Sequence, residues 1–196
     1  MPHGGCAPAC WPGLRYGFRV AVFERSVQVE QTLDYQLMAN GSVTLFWQPE
    51  VLNKTTGWLA KHGYQVVRVD TSGWRSDDDL HDGLSLALDF PEYYGRNLAA
   101  LNDSLSDVAA GDLGWTDDDT GLVLVLEHYD AFATADPSLA HDLLDIFAVQ
   151  ARNALLIGHR LLCLVQSDNP DLVLTPVGAT PIPWNPIEWL DSARHP

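Results

Sequence analysis

The segment Gly121-Leu-Val-Leu-Val-Leu-Glu carries five apolar residues in unbroken succession. Successive side chains of an extended strand point to opposite faces, so a run without polar alternation needs apolar cover on both sides. Such a strand belongs in the interior of a parallel sheet with helices over each face. Leu161-Leu-Cys-Leu-Val-Gln repeats the pattern. Between the two, Asp136-Pro137-Ser138 opens a helix whose inner face is set by Leu139, Leu143, Leu144, Ile146, Phe147 and Ala151. Strand, helix and strand in this order give two parallel strands joined by a crossover.

The same logic extends upstream. Val43-Thr-Leu-Phe-Trp is a strand, Pro49 and Glu50 open a helix with Val51, Leu52, Thr55, Trp58 and Leu59 on one side, and Gly63 ends it. Tyr64-Gln-Val-Val-Arg-Val-Asp follows, so residues 43–70 read as one β-α-β unit with parallel strands. Ser76, with Asp79 three residues on, starts a helix striped by Leu80, Leu84, Ala87 and Leu88. Asn97 then caps a helix in which Leu98, Leu101 and Leu105 turn inward, leaving Ala99, Asn102, Asp103 and Ser106 on the other side. Residues 108–120 read as a Gly/Asp-rich loop containing Asp117, Asp118 and Asp119. Phe18, Val20 and Val22 alternate, and Asn40-Gly41 between 33–37 and 43–47 is a hairpin signal, so residues 15–48 read as sheet-like.

Eleven basic against 26 acidic residues give a formal charge of −15, which repels phosphates and favours a basic partner over nucleic acid or an anionic membrane. The apolar stretches fall far short of the roughly 18 to 20 residues that cross a bilayer, and the first ten residues lack a basic and an apolar signal region. Cytoplasmic residence is the expectation. Cys6, Cys10 and Cys163 form neither a disulfide framework nor a zinc set, and no cofactor or metal is called for.

Glu127, His128 and Asp130 stand at the end of a parallel strand, where α/β enzymes place ligands, but no phosphate loop, nucleophile elbow or metal-ligand set accompanies them. A hydrolase using Glu127 and His128 is the weaker alternative. His141 reads as a surface residue, His159 as a turn residue, and the aspartate runs 77–79 and 117–119 as solvated faces.

The stretch Phe90-Pro-Glu-Tyr-Tyr-Gly-Arg-Asn-Leu-Ala-Ala-Leu-Asn-Asp, with the order of strands and helices from about Tyr64 to Gln166, resembles the barstar family of intracellular inhibitors of barnase-type ribonucleases. The resemblance covers about half of the chain. It implies an inhibitor whose motif loop and helix enter a basic ribonuclease active site, where a carboxylate takes the place of the substrate phosphate. In the family, the loop tyrosine, the helix-start asparagine and a helix aspartate meet the enzyme, and these match Tyr93, Asn97 and Asp103. Tyr94 is read as packing, and Gly95 as holding a backbone conformation other residues disfavour. The chain departs from the family's small founding member at Ala99 and Asn102, where that member has an acid and a tryptophan, and around Val149 and Gln150, where it has a glutamate. Fewer charged anchors remain. The departures imply weaker inhibition, a different ribonuclease, or compensation by Asp107, Asp112 and the 117–119 loop, acids placed to steer a basic partner at long range.

These readings give an α/β protein, a barstar-like small parallel β-sheet with helices packed on it, plus an N-terminal β-α extension and a Pro-rich C-terminal tail. The expected division is a disordered leader at 1–14, the extension at 15–63, the barstar-like domain at 64–168, and a tail at 169–196 that packs on the domain through Trp184, Ile187 and Trp189. The expected function is binding rather than catalysis: inhibition of a basic ribonuclease or nuclease toxin, as an antitoxin or immunity protein, through Tyr93, Gly95, Asn97, Asn102, Asp103 and Asp107. A barstar-like module for another basic protein is the alternative within the same class.

Overall fold

The computed structural model describes residues 32–116 and 118–195. The expected leader, Phe18, Val20 and Val22, the thiols Cys6 and Cys10, and Asp117 lie outside the described residues. Four strands, β1 (Val43–Phe46), β2 (Tyr64–Asp70), β3 (Gly121–Glu127) and β4 (Leu161–Gln166), form one parallel sheet in the order β1-β4-β3-β2. β3 has a neighbour on each side, with Leu124 opposite both Val67 and Cys163, as its unbroken apolar run demands. β1 and β2 run parallel at opposite edges, and β3 and β4 are inserted between them.

Alternation along each strand divides the interior into two cores. Leu122, Leu124 and Leu126 join Leu161, Cys163 and Val165 under α3 (Asp77–Ala87), α4 (Leu98–Ala110), α5 (Tyr129–Ala135) and α6 (Pro137–Leu156). Val123 and Val125 face the other way, with Leu162 and Leu164, toward α1 (Leu33–Ala39) and α2 (Pro49–Lys61). The fold is therefore an α/β sheet with helices packed on both faces. Among the described residues no helix is long and apolar enough to cross a membrane.

The segment before β1 corrects the hairpin reading. Residues 33–39 are helical, because Leu33, Leu37 and Met38 fall on one helical face and pack with Phe46, Val51 and Leu52. Asn40-Gly41 is the exit from that helix, Gly41 taking a φ of 125°. Helix α4 likewise runs past the expected loop start, since Val108 and Ala109 continue its buried stripe, and ends at Gly111 with φ 88°. Helix α5 has no counterpart in the sequence reading. His128, at φ 57°, turns the chain sharply out of β3 into it.

The proline-rich stretch lies along the free edge of β1. Leu45 N–H donates to Pro183 O at 2.8 Å, and Asn185 N–H donates to Leu45 O at 2.9 Å. Proline suits an edge position where no ladder donor is required. The anchors are largely polar. Glu188, fully buried, accepts from the N–H groups of Trp47 (3.0 Å) and Gln48 (2.7 Å) and from the Asn185 side chain. Gln48 is the N-cap of α2, so the carboxylate meets the positive end of that helix. Arg194, the last residue of the short α7 (Asp191–Arg194), donates to the carbonyls of Pro170, Glu188 and Trp189 and lies over the Trp184 ring. Trp184 is partly covered, whereas Ile187 and Trp189, expected to pack, stay 72% and 60% exposed.

Candidate functional site

The motif residues form the connection from α3 to α4 and the outer face of α4. Leu101, Leu105 and Val108 are fully buried, and burial of side chains this size stabilises by roughly 1.5 to 3 kcal/mol apiece. That anchoring fixes the helix rotation. Ala99, Asp103, Ser106, Asp107 and Ala110 consequently face solvent, at the spacing of one helical face. Helix α4 also packs against α6, which makes it a rigid support.

The loop is built by a few contacts. Phe90 is buried and packs its ring against Tyr94 at 4.9 Å between centroids. The Tyr94 N–H donates to Pro91 O at 2.9 Å, and Tyr94 Oη shares a hydrogen bond of 2.5 Å with Nδ1 of the buried His81 on α3. Burial pushes the Tyr94 phenol up to about 12 and holds the His81 imidazole below its ordinary value, so this pair is a neutral one near pH 7. Its neighbour Tyr93 is 86% exposed, with the ring in solvent. Two adjacent tyrosines thus divide into a peg that fixes the loop and an aromatic surface presented outward.

Gly95 does not serve the backbone role read from the sequence. The positive φ falls on Arg96, at 49°, and Gly95 is not left-handed. Gly95 is instead a close-approach position: a Cβ there would lie 3.2 Å from the Ala100 Cβ and 3.3 Å from Asn97 Nδ2. Asn97 is exposed but its side chain works locally, accepting from the Ala100 N–H at 2.9 Å and donating to Gly95 O at 3.0 Å. Such a cap is worth about 1 kcal/mol to the helix.

Asn102 does not lie freely on the outer face. It is half-buried, and its Oδ1 accepts from Nε2 of the buried Gln150 on α6 at 2.9 Å. Gln150, where the sequence departs from the founding pattern, is therefore turned inward to join two helices. Asp103 and Asp107 are exposed, and neither carboxylate has a hydrogen-bond or ion-pair partner among the described residues. Asp112, beyond the helix, is exposed as well.

The sequence reading missed Arg96. It is the only Lys or Arg between Arg75 and Arg152. Its guanidinium donates through NH1 to Asp82 and through NH2 to the Asp78 carboxylate at 3.1 Å, both acids standing on α3. These bonds raise the arginine further above its ordinary range and hold Asp82 below the usual carboxylate range.

The alternative centre at the sheet's C-terminal end has its groups paired to one another. Glu127 forms an ion pair with Arg68 at 2.7 Å. His128 Nδ1 lies 2.6 Å from Asp168, which raises the imidazole above its ordinary value, and Asp130 accepts from the Asp168 N–H. His141 meets Thr175 Oγ1 at 2.8 Å, and His159 Nδ1 meets Ala109 O at 2.9 Å. Asp171, Asp191 and His195 come together near the C-terminus as an exposed set of paired charges, with His195 Nε2 3.0 Å from Asp171.

The family profile described as "Barstar (barnase inhibitor)" matches residues 64–166. A Bacillus subtilis (strain 168) protein named "Putative ribonuclease inhibitor YrdF" is 40% identical over 80 residues, which cover 41% of this chain and 78% of that protein. Those 64–166 limits run from the first residue of β2 to the last of β4, taking in the whole loop and helix described above. With that match over more than half of its length, the chain belongs to the barstar family.

Proposed function

We propose that this protein inhibits a basic ribonuclease by presenting the Tyr93 loop and the outer face of α4 to the enzyme's active site. One observation carries the reading: Asp103 is an exposed carboxylate without a partner among the described residues, on a helix held by three fully buried apolar side chains. An RNA-cleaving site holds a phosphodiester through cationic donors. A carboxylate carried on a fixed helix pairs with the same donors by charge-assisted hydrogen bonds, and the cost of ordering its backbone is already met in the free protein. Asp107 shares the face, and Tyr93 offers a rigid apolar ring with a polar tip beside the loop. Asn97 and Asn102 enter as neighbours whose side chains are bonded internally, so their contribution is to shape. The charge of −15 supplies long-range attraction to a basic enzyme. Catalysis through Glu127 and His128 has less support, because Arg68 and Asp168 hold both side chains.

The test is inhibition of a panel of basic microbial ribonucleases by the purified protein. Asp103→Ala is expected to weaken binding to the inhibited enzyme about 100-fold, or roughly 2.7 kcal/mol, with thermal stability unchanged. Equal binding by the variant would remove Asp103 from the interface. The association rate is expected to fall as salt rises, and a salt-independent rate would remove the steering role.

A further inference from the structure

Arg96 poses a problem for a surface that meets a basic enzyme: the one Lys or Arg between positions 75 and 152 stands in the middle of the loop that would enter the active site. It is flanked by Gly95 and Asn97 and is itself exposed. An unpaired guanidinium there would repel the same cationic donors that Asp103 attracts. The structure occupies both of its terminal nitrogens. NH1 is taken by Asp82, and NH2 by the carboxylate of Asp78 at 3.1 Å and the Asp78 carbonyl at 3.4 Å. Asp78 and Asp82 are four residues apart on α3 and so share its face. Arg96 reaches them from a left-handed backbone conformation, one that L residues rarely adopt, so local preference does not explain its position.

We propose, building on the inhibitor reading, that Asp78 and Asp82 are positioning residues of the partner-binding surface. Together with Arg96 they form a clamp that fixes the Tyr93 loop on α3 and cancels the only cation the loop carries. Helix α3 thereby becomes part of the inhibitory surface without touching the enzyme's reacting centre. The clamp has a companion in the Tyr94–His81 hydrogen bond, which pins the same loop to the same helix two residues before Arg96. All three clamp side chains are substantially exposed, at 42%, 83% and 67% for Arg96, Asp78 and Asp82. Exposed ion pairs contribute little to global stability. The effect of the clamp therefore falls on local loop order and on charge, and variants that lose it fold.

The experiment uses Asp78→Asn with Asp82→Asn, which keeps side-chain shape and removes the charges. Two amides report on the loop: Tyr94 N–H, bonded to Pro91 O, and Ala100 N–H, bonded to Asn97 Oδ1. In the free double variant their hydrogen exchange is expected to speed up about tenfold, with the β3 and β4 amides unchanged. Association with the inhibited ribonuclease is expected to slow by roughly tenfold at low salt. Adding Arg96→Gln to the double variant is expected to restore association to within about twofold of the parent, although the triple variant is still less negative than the parent, and to leave loop exchange fast. Glu50→Gln, an exposed acid on α2 with no bond to the loop, is the control and should leave both readings at parent values. Parent-like exchange at Tyr94 and Ala100 in the double variant would overturn the clamp, as would a failure of Arg96→Gln to restore association. Were the parent to bind no ribonuclease at all, the inhibitor reading would fall, while the exchange rates of the free protein would still decide the clamp.

Discussion

Glu188 and Asp103 are both carboxylates on well-packed parts of this molecule, and they are treated in opposite ways. Glu188 has no exposure and accepts from two backbone N–H groups and an asparagine side chain, closing the residues after β4 over the start of α2. Asp103 is exposed and has no partner among the described residues, although α4 beneath it is anchored by the fully buried Leu101, Leu105 and Val108. A charge that holds a fold together must have its lost hydration replaced by internal donors. On the proposed reading, the Asp103 charge keeps its hydration until a partner arrives, and needs only a support that fixes its place. The same contrast separates the C-terminal end of the sheet from the outer face of α4. Glu127, His128 and Asp168 are paired to other side chains, whereas Asp103 and Asp107 on α4 have no side-chain partner among the described residues.

The largest way to sharpen this comparison is to truncate both acids and read stability. Glu188→Ala leaves the Trp47 and Gln48 N–H groups without their acceptor at the entrance to α2, and is expected to lower unfolding free energy by about 3 kcal/mol. Asp103→Ala is expected to change it by less than about 0.5 kcal/mol. Urea titrations of the two variants check both values. Similar losses would erase the distinction between a structural and a presented carboxylate.

A smaller effect is expected at Gln150, which lies between the two cases. Its side chain is buried, donates to Asn102 Oδ1 and accepts from Asn153 Nδ2 at 3.1 Å. Gln150→Leu is expected to lower stability by about 1 kcal/mol, since Asn102 is half-exposed and water can replace part of the bond. Ribonuclease affinity is expected to stay within about threefold, the size of a change under 1 kcal/mol. A loss on the scale of Asp103→Ala would show that the α4–α6 bridge positions the interface and does more than join two helices.

How much of this was legible in the sequence follows from the reach of each signal. Strands β3 and β4 and the starts of α3, α4 and α6 were readable because apolar runs and caps such as Ser76, Asn97 and Asp136 act within a few residues of themselves. The α1 segment was misread because Asn40-Gly41 is as good an exit from a helix as a turn between strands, and a seven-residue helix carries too few turns to display its period. The site divided along the same line. The inward set of Leu101 and Leu105 placed Asp103 outside, but Asn102 was pulled partly inward by Gln150, 48 positions away. Arg96 and Asp82 went unnoticed, and Asp78 was read only as part of a solvated run, because the clamp depends on the loop folding back along α3. The one available hint was the isolation of Arg96 within a long stretch otherwise free of Lys and Arg. Glu188 was hidden for the same reason, its backbone partners lying 140 and 141 positions earlier.

The smallest expected effect concerns two histidines that repeat the contrast between inward and outward groups. His81 is buried beside Tyr94, and burial holds its folded pKa below the ordinary value of about 6.5, although Asp77, Asp78 and Asp82 pull it upward and Arg96 pushes it down. Below pH 6.5 the unfolded chain then binds a proton that the folded chain refuses, so stability falls as pH drops from about 6.5 toward the folded value. His128 behaves in the opposite sense. Its bond to Asp168 raises the folded pKa, opposed by partial burial and aided by Asp70 and Glu127, so its contribution is full below about 6.5 and fades as pH rises through the folded value. Thermal midpoints measured from pH 8 to pH 5.5 separate the two. His128→Gln is expected to steepen the acid-side loss by removing the compensating gain, and His81→Gln to flatten it. Because His81 holds the loop through Tyr94, the acid-side loss should be accompanied by a smaller protection factor at the Tyr94 amide, measured against its intrinsic exchange rate at each pH, while amides of β4 keep their protection factors. A loss in this window that His81→Gln leaves intact would remove His81 as its source, because the carboxylates held below their usual range, Asp34, Asp70, Asp79, Asp82 and Asp168, lose their contributions only at more acidic pH.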